Sequence, residues 1–219
     1  MSKVSIIGHR GAAGVPENTV PSFEKALEQG ADGLELDVRM SGDNQLVVVH
    51  DSVIGEHAVN STPYETFRQI SDGYSIPLFE EVLQKFGRQT LLDIELKHPG
   101  MEEQAVELIR KYTDPGNAMI SGFDTRSLQV VYDLLPEIQL GFIYNRTQDE
   151  ESRHNCPIDL VIPQFRLASR ELITEVHDEG LRVWAWTVNE TPEIERLIAL
   201  GVDGLITDYP ERVAQVLGR

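Results

Sequence analysis

The chain has 219 residues, of which 19 are Lys or Arg and 36 are Asp or Glu, so its formal charge is −17. With 41% hydrophobic residues it can bury one large core without staples, which excludes a disordered chain, and its acidity excludes the clustered basic face of a nucleic-acid binder. The one cysteine, Cys156, excludes an internal disulfide and any cysteine-based zinc site.

Met1-Ser2-Lys3 runs into an apolar β-rich stretch at residues 4–8 without the pattern of a secretory leader, and no apolar run reaches the length of a membrane span. A cytoplasmic chain with no stable membrane association is expected. His9 and Arg10 follow this first strand, and Pro16-Glu17-Asn18-Thr19 then offers Asn18 or Thr19 as the cap of a helix over residues 21–30. The next strand, 33–38, alternates Leu34, Leu36 and Val38 on one face with Glu35 and Asp37 on the other. Only Ser41-Gly42-Asp43-Asn44 separates it from strand 46–49, too little for a parallel crossover but enough for a hairpin. A turn centred between Gly42 and Asp43 sets His50, which follows that strand, opposite Glu35.

Strand 91–96 repeats the earlier pattern, with Asp93, Glu95 and then Lys97 on one face and Leu92, Ile94 and Leu96 on the other. Beyond it, strands at 118–122, 140–144, 160–163, 183–188 and 204–207 alternate with helices over 101–112, 126–135, 169–180 and 191–201. Gly30, Gly180 and Gly201 mark helix ends, and Thr191-Pro192-Glu193 reads as an N-cap, a first-turn proline and an acid at the positive helix end. This rhythm predicts an α/β fold, a single (β/α)8 TIM barrel over residues 1–219, with an open doubly wound sheet as the fallback.

In such a barrel the apolar faces turn outward to the helices and the acids inward. Paired inward carboxylates at strand carboxyl ends repel one another unless a cation lies between them, and an all-oxygen set favours Mg²⁺ or Ca²⁺ over zinc. His9 and His50, both at strand ends, suit general acid–base transfer. Arg10 and Lys97 suit an anion, and Trp186, nearer the barrel mouth than its face-mate Trp184, suits a wall for an alcohol. The other histidines, 57, 98, 154 and 177, read as solvated, and Asp208 reads as the cap of a terminal helix.

The ordered segments Gly8-His9-Arg10-Gly11, Pro16-Glu17-Asn18-Thr19, Glu35-Leu36-Asp37-Val38, His50-Asp51, Asp93-Ile94-Glu95-Leu96-Lys97, Ser121-Gly122-Phe123-Asp124, Trp186-Thr187-Val188-Asn189 and Gly201 to Asp208 resemble the glycerophosphodiester phosphodiesterase family. The resemblance implies a phospholipase-C-like barrel that hydrolyses glycerophosphodiesters to glycerol 3-phosphate and an alcohol with one divalent cation, Mg²⁺ or Ca²⁺. Carried onto this chain, it implies Glu35, Asp37 and Glu95 as metal ligands, and His9 and His50 as the acid–base pair. It also implies Arg10 and Lys97 as phosphate contacts and Trp186 as a substrate wall. The stretch Asp51 to His57 lacks the Leu-x-Arg-Thr of many members, and the insertion before Ile76-Pro77-Leu78 is short, so a wider mouth is expected. A lysophospholipase D-like or cyclising phosphodiesterase of the same barrel, and a non-catalytic barrel binding phosphorylated ligands, are the rival readings.

Overall fold

The computed structural model describes residues 4–69, 73–114 and 116–219, so Met1-Ser2-Lys3 lies outside the described residues. Eight parallel strands form the barrel: β1 (Ser5–Gly8), β2 (Gly33–Met40), β6 (Leu91–Leu96), β7 (Ala118–Gly122), β8 (Gln139–Tyr144), β9 (Leu160–Pro163), β10 (Arg182–Ala185) and β11 (Gly204–Thr207). The ring closes because β1 pairs with both β2 and β11. Outside it lie α1 (Val20–Glu28), α3 (Phe79–Phe86), α4 (Glu102–Tyr112), α5 (Thr125–Leu134), α6 (Arg170–Asp178), α7 (Thr191–Leu200) and α8 (Pro210–Val216). Between β8 and β9 the place of a helix is taken by a 3₁₀ segment, Thr147–Asn155, whose polar sequence offers no apolar stripe. Its Arg153 is buried and pairs with Glu175 and Glu179 of the α6 region, which fixes the segment to the barrel.

The side-chain alternation read from β2 and β6 is observed. Leu34, Leu36, Val38, Leu92, Ile94 and Leu96 join the large core between barrel and helices. A smaller core fills the barrel interior, where Ile7, Met119, Leu160, Ile162, Trp184 and Ile206 pack together. Trp184 is thus core, and it dictates Gly204. The two are ladder partners on β10 and β11, and a β-carbon at 204 would lie 2.6 Å from the indole ring.

Two local expectations are corrected. Thr191 is the first residue of α7 and Glu190 is the cap. The hairpin formed by β2 and β3 (Leu46–Val48) pairs Val38 with Val48 and Met40 with Leu46, so its turn centres on Asp43, one half-step beyond the expected register. Asp43 is held there because its carboxylate accepts from Ser41 Oγ and from the Tyr64 amide. Continued regularly, this ladder would set His50 opposite Leu36 on the outer face, since a one-residue slip reverses every side chain. The strand ends at Val48 instead, and Arg39 Nε donates to the His50 carbonyl at 2.7 Å, which brings His50 to the barrel mouth.

The reduced insertion that follows keeps a fold of its own. It contains β4 (Val53–Ile54) paired with β5 (His57–Ala58), a 3₁₀ turn, and α2 (Tyr64–Phe67). Val47, Val49, Val59, Tyr64, Phe67 and Ile76 form its separate core. No helix among the described residues is long and apolar enough to cross a membrane. Gly204→Ala should lower barrel stability by about 1–3 kcal/mol, because the rigid indole cannot yield to the added methyl. A chemical-denaturation midpoint unchanged from the parent would refute this account of the β10–β11 contact.

Candidate active site

The carboxyl ends of the strands meet in a cavity of about 230 Å³ whose lining includes His9, Arg10, Glu35, His50, Glu95 and Lys97. Its chemistry begins with register. Glu35 and Asp37 on β2 stand beside Asp93 and Glu95 on β6, pair by pair, so four acids point inward in two layers. All four are buried. Glu35, Asp37 and Glu95 each offer an oxygen within 4.8 Å of the others. Asp93 Oδ2 is buried and accepts no hydrogen bond, and Asp37 Oδ1 has Lys97 Nζ 3.2 Å away, so the acids keep spare lone pairs of the hard-oxygen kind that a divalent ion takes.

The loop after β1 supplies one wall. Arg10 has φ +53°, a left-handed backbone that a side-chain-bearing residue holds only when its surroundings impose it. Here they do: Asn18 N and Ser22 Oγ both donate to the Arg10 carbonyl, and the Arg10 amide donates to Glu35 Oε2 at 2.9 Å. Thr19 caps α1 in a reciprocal pair with Ser22. Asn18, the other candidate cap, instead grips Asp37, donating to Oδ2 at 2.8 Å and accepting from its amide at 3.2 Å. Arg10 Nε lies 3.1 Å from Asp37 Oδ2, and Nη1 donates to Glu17 Oε1 at 2.9 Å, so Glu17 steers Arg10.

Lys97 Nζ sits 2.6 Å from Glu95 and 3.2 Å from Asp37. Burial works against the charge on Asp37, but Lys97, Arg10 and the Asn18 amide outweigh it and hold this carboxyl below its usual range. The others go the opposite way. Burial, reinforced by Asp37, Glu95 and Asp93, pushes Glu35 well up. Burial also raises Glu95, against Lys97, and pushes Asp93 up to about 7 despite its bond from Ser121. The cluster holds more negative charge than two cations neutralise, and it takes up the difference as protons or as a metal cation.

The imidazoles stand at the same mouth. His9 Nδ1 lies 2.7 Å from Asp208 Oδ1, a contact across 199 residues that the β1–β11 pairing makes local. Asp208 is held in turn by Asn189, whose Nδ2 donates to Oδ2 at 2.6 Å and whose Oδ1 accepts from the Asp208 amide. Asp208 is therefore a positioning residue for His9. The cap of α8 is Tyr209, with no side-chain cap bond. His50 Nδ1 has Asp51 Oδ1 at 2.9 Å, so each ring leaves its Nε2 for chemistry. Trp186 is fixed by its Nε1 bond to the Ile162 carbonyl and meets Phe123 edge to face at 5.9 Å, forming the apolar wall. The roles of Phe123, Asn18, Asn189 and Asp208 were missed by sequence reasoning, although all four lie inside the segments that carry the family resemblance.

Of the remaining histidines, 57 and 154 are exposed, 98 is half-buried beside the Met40 amide, and 177 bonds Asp203. Burial pushes the Cys156 thiol up to about 11, which keeps it protonated and unreactive at neutral pH.

A ligand that is anionic toward Arg10 and Lys97 and shares a cation with the acids would satisfy both charge sets at once, an arrangement that suits a phosphoric diester hydrolase. The chain belongs to the glycerophosphoryl diester phosphodiesterase family, whose pattern matches residues 9–212. The glycerophosphodiester phosphodiesterase of Caldanaerobacter subterraneus subsp. tengcongensis is 32% identical over 238 residues, spanning 98% of each chain. Among solved structures, a phosphodiesterase of Oleispira antarctica in complex with the product sn-glycerol-3-phosphate superposes with a TM-score of 0.88 at 26% identity, covering 98% of this chain and 97% of that one. The glycerophosphodiester phosphodiesterase of Thermotoga maritima gives 0.82 at 26% identity, with all of both chains covered.

Two outcomes follow from these contacts. Asp208→Asn should lower kcat by at least about 100-fold with little change in KM, because the amide no longer fixes the His9 tautomer; unchanged kcat would remove Asp208 from the machinery. Between pH 4 and 7 the folded, metal-free protein keeps a proton on Asp93 that the unfolded chain has released. Without metal, stability should therefore fall by a few kcal/mol, as an order of magnitude, as pH rises through that window. Asp37 and Asp208, both held low, titrate below it. Urea midpoints from pH 4 to 8, with EDTA and with saturating Mg²⁺, test this, and a flat EDTA series would contradict it.

Proposed function

We propose that this protein, as a single barrel domain over residues 1–219, hydrolyses glycerophosphodiesters to glycerol 3-phosphate and an alcohol, using a divalent cation held by Glu35, Asp37 and Glu95. The observation that carries this reading is a cavity that gathers both histidines, Arg10, Lys97, and Glu35 and Glu95 of the acidic cluster, with Asp37 buried beside them. The product named for the Oleispira antarctica relative supports the glycerol half. When bound, the cation supplies positive charge that stabilises the phosphate oxygens in the transition state, and Mg²⁺ or Ca²⁺ suits the all-oxygen donors.

The chain's own residues do the rest. Arg10, held by Glu17 and by its rigid loop, and Lys97, held by Glu95, orient the diester and offset its developing charge. One histidine takes a proton from the glycerol 2-hydroxyl as that oxygen attacks phosphorus, and the other gives a proton to the departing alcohol. In the second half the roles reverse as water opens the cyclic phosphate, so both rings end as they began. Asp208 and Asp51 stabilise the imidazolium each ring becomes in turn. Phe123 and Trp186 shield the carbon skeleton from water. The acidic surface favours soluble deacylated diesters over lipids in an anionic bilayer.

Purified protein mixed with glycerophosphocholine or glycerophosphoethanolamine should release glycerol 3-phosphate with Mg²⁺ or Ca²⁺ and not with EDTA. His9→Ala and His50→Ala should each lose at least about 100-fold in rate while still binding metal. Full activity in either variant would break the pair, stable cyclic phosphate would identify a cyclising enzyme, and no turnover with any metal would favour a binding barrel.

A further inference from the structure

The reaction leaves one buried group in the cavity without a task. Asp93 is 0% exposed and lines the cavity, yet the three-carboxylate cluster gathers without it. Its Oδ1 accepts from Ser121 Oγ at 2.6 Å, which fixes the carboxyl plane, and its Oδ2 has no hydrogen-bond partner. The cationic side chains of the site are engaged elsewhere, Arg10 with Glu17 and Asp37 and Lys97 with Glu95 and Asp37.

Position narrows what could satisfy that oxygen. The ladder sets Asp93 level with Glu35, one inward layer deeper than Asp37 and Glu95. Beside the acids, the cavity that Asp93 lines is walled by Ile143, Ile162 and Ile206, which offer carbon and no hydrogen bond. An unpaired buried carboxyl oxygen in a cavity lined in part by carbon suits one hydroxyl on a small carbon skeleton, because a buried polar atom left unpaired costs free energy that a ligand group recovers. The glycerol half of the substrate brings two hydroxyls, and the attack on phosphorus uses only one.

We infer that Asp93 Oδ2 pairs by a hydrogen bond with the terminal hydroxyl of the glycerol moiety, making Asp93 the residue that selects glycerol from other diol phosphodiesters. The assignment rests on the phosphodiesterase reading and adds to it a direction: the glycerol end points down the barrel axis and the departing alcohol points outward. Ser121 acts through Asp93 as a positioning residue.

The test compares glycerophosphoethanolamine with 2-hydroxypropyl phosphoethanolamine, which keeps the attacking hydroxyl and replaces the terminal hydroxymethyl by methyl. The parent should prefer the glycerol diester by about 100-fold or more in kcat/KM, since a site built for a hydroxyl rejects a ligand lacking it. Asp93→Ala should bring the two substrates to within a few-fold, chiefly by slowing the glycerol diester. Asp93→Asn, which keeps an acceptor oxygen, should retain part of the preference, and Ser121→Ala should weaken it with the carboxylate intact. Calorimetry with sn-glycerol 3-phosphate and 2-hydroxypropyl phosphate should give the same order of preference, and Mg²⁺ titration should give the same affinity in every variant. Equal losses on both substrates, or weakened Mg²⁺ binding in Asp93→Ala, would make Asp93 a structural or metal residue and overturn the inference. A parent that cleaves both diesters equally would overturn it alone, whereas a parent that cleaves neither would remove the phosphodiesterase reading beneath it.

Discussion

Four carboxylates on two neighbouring strands, turned to the same side and shut away from water, are the constraint around which the rest of this molecule is arranged. In isolation such a set would drive its strands apart or fill with protons. The barrel prevents the first by closing the sheet on itself. Arg10, Lys97 and the Asn18 amide limit the second at Asp37, which remains the firm anion of the group. Much of the surrounding detail serves that end. The left-handed Arg10 backbone, tied down from the Asn18 amide and the Ser22 hydroxyl, exists to bring one amide and one guanidinium to the acids from the β1 side.

The two histidines at the mouth depend on the same closure in a different way. His9 reaches the mouth from the first strand and its carboxylate partner from the loop after the last, joined only because those strands are neighbours in the ring. His50 arrives by another route, carried on a short antiparallel strand that leaves its ladder just before the histidine and is caught by Arg39. Two imidazoles thus face one cavity from supports of unequal stiffness: Asp208 is braced by Asn189, whereas Asp51 is 71% exposed.

What is legible in the sequence follows from which forces are local. Strand alternation is a property of consecutive residues, so the inward turn of Glu35, Asp37, Asp93 and Glu95 can be read from neighbouring positions alone. No helix could be placed after β8 because the residues there carry no stripe, and a 3₁₀ segment anchored by Arg153 stands in its stead. The hairpin register missed by half a step because Asp43 answers to Ser41 and to the Tyr64 amide, the latter 21 residues away. Asp208 looked like a helix cap for the same reason: its true partner is 199 residues distant, and local pattern carries no information about a ring's closing seam. Asn18 and Thr19 become separable only once the position of Asp37 is known.

That seam also sets an order in time. Because His9 waits for Asp208 and for the strand that delivers it, a chain still being synthesised holds its four buried acids, Arg10, Lys97 and both imidazoles long before the last supports of the cavity have been made. The nascent protein is therefore a poor catalyst until the barrel shuts, and completion of the fold and onset of activity become one event.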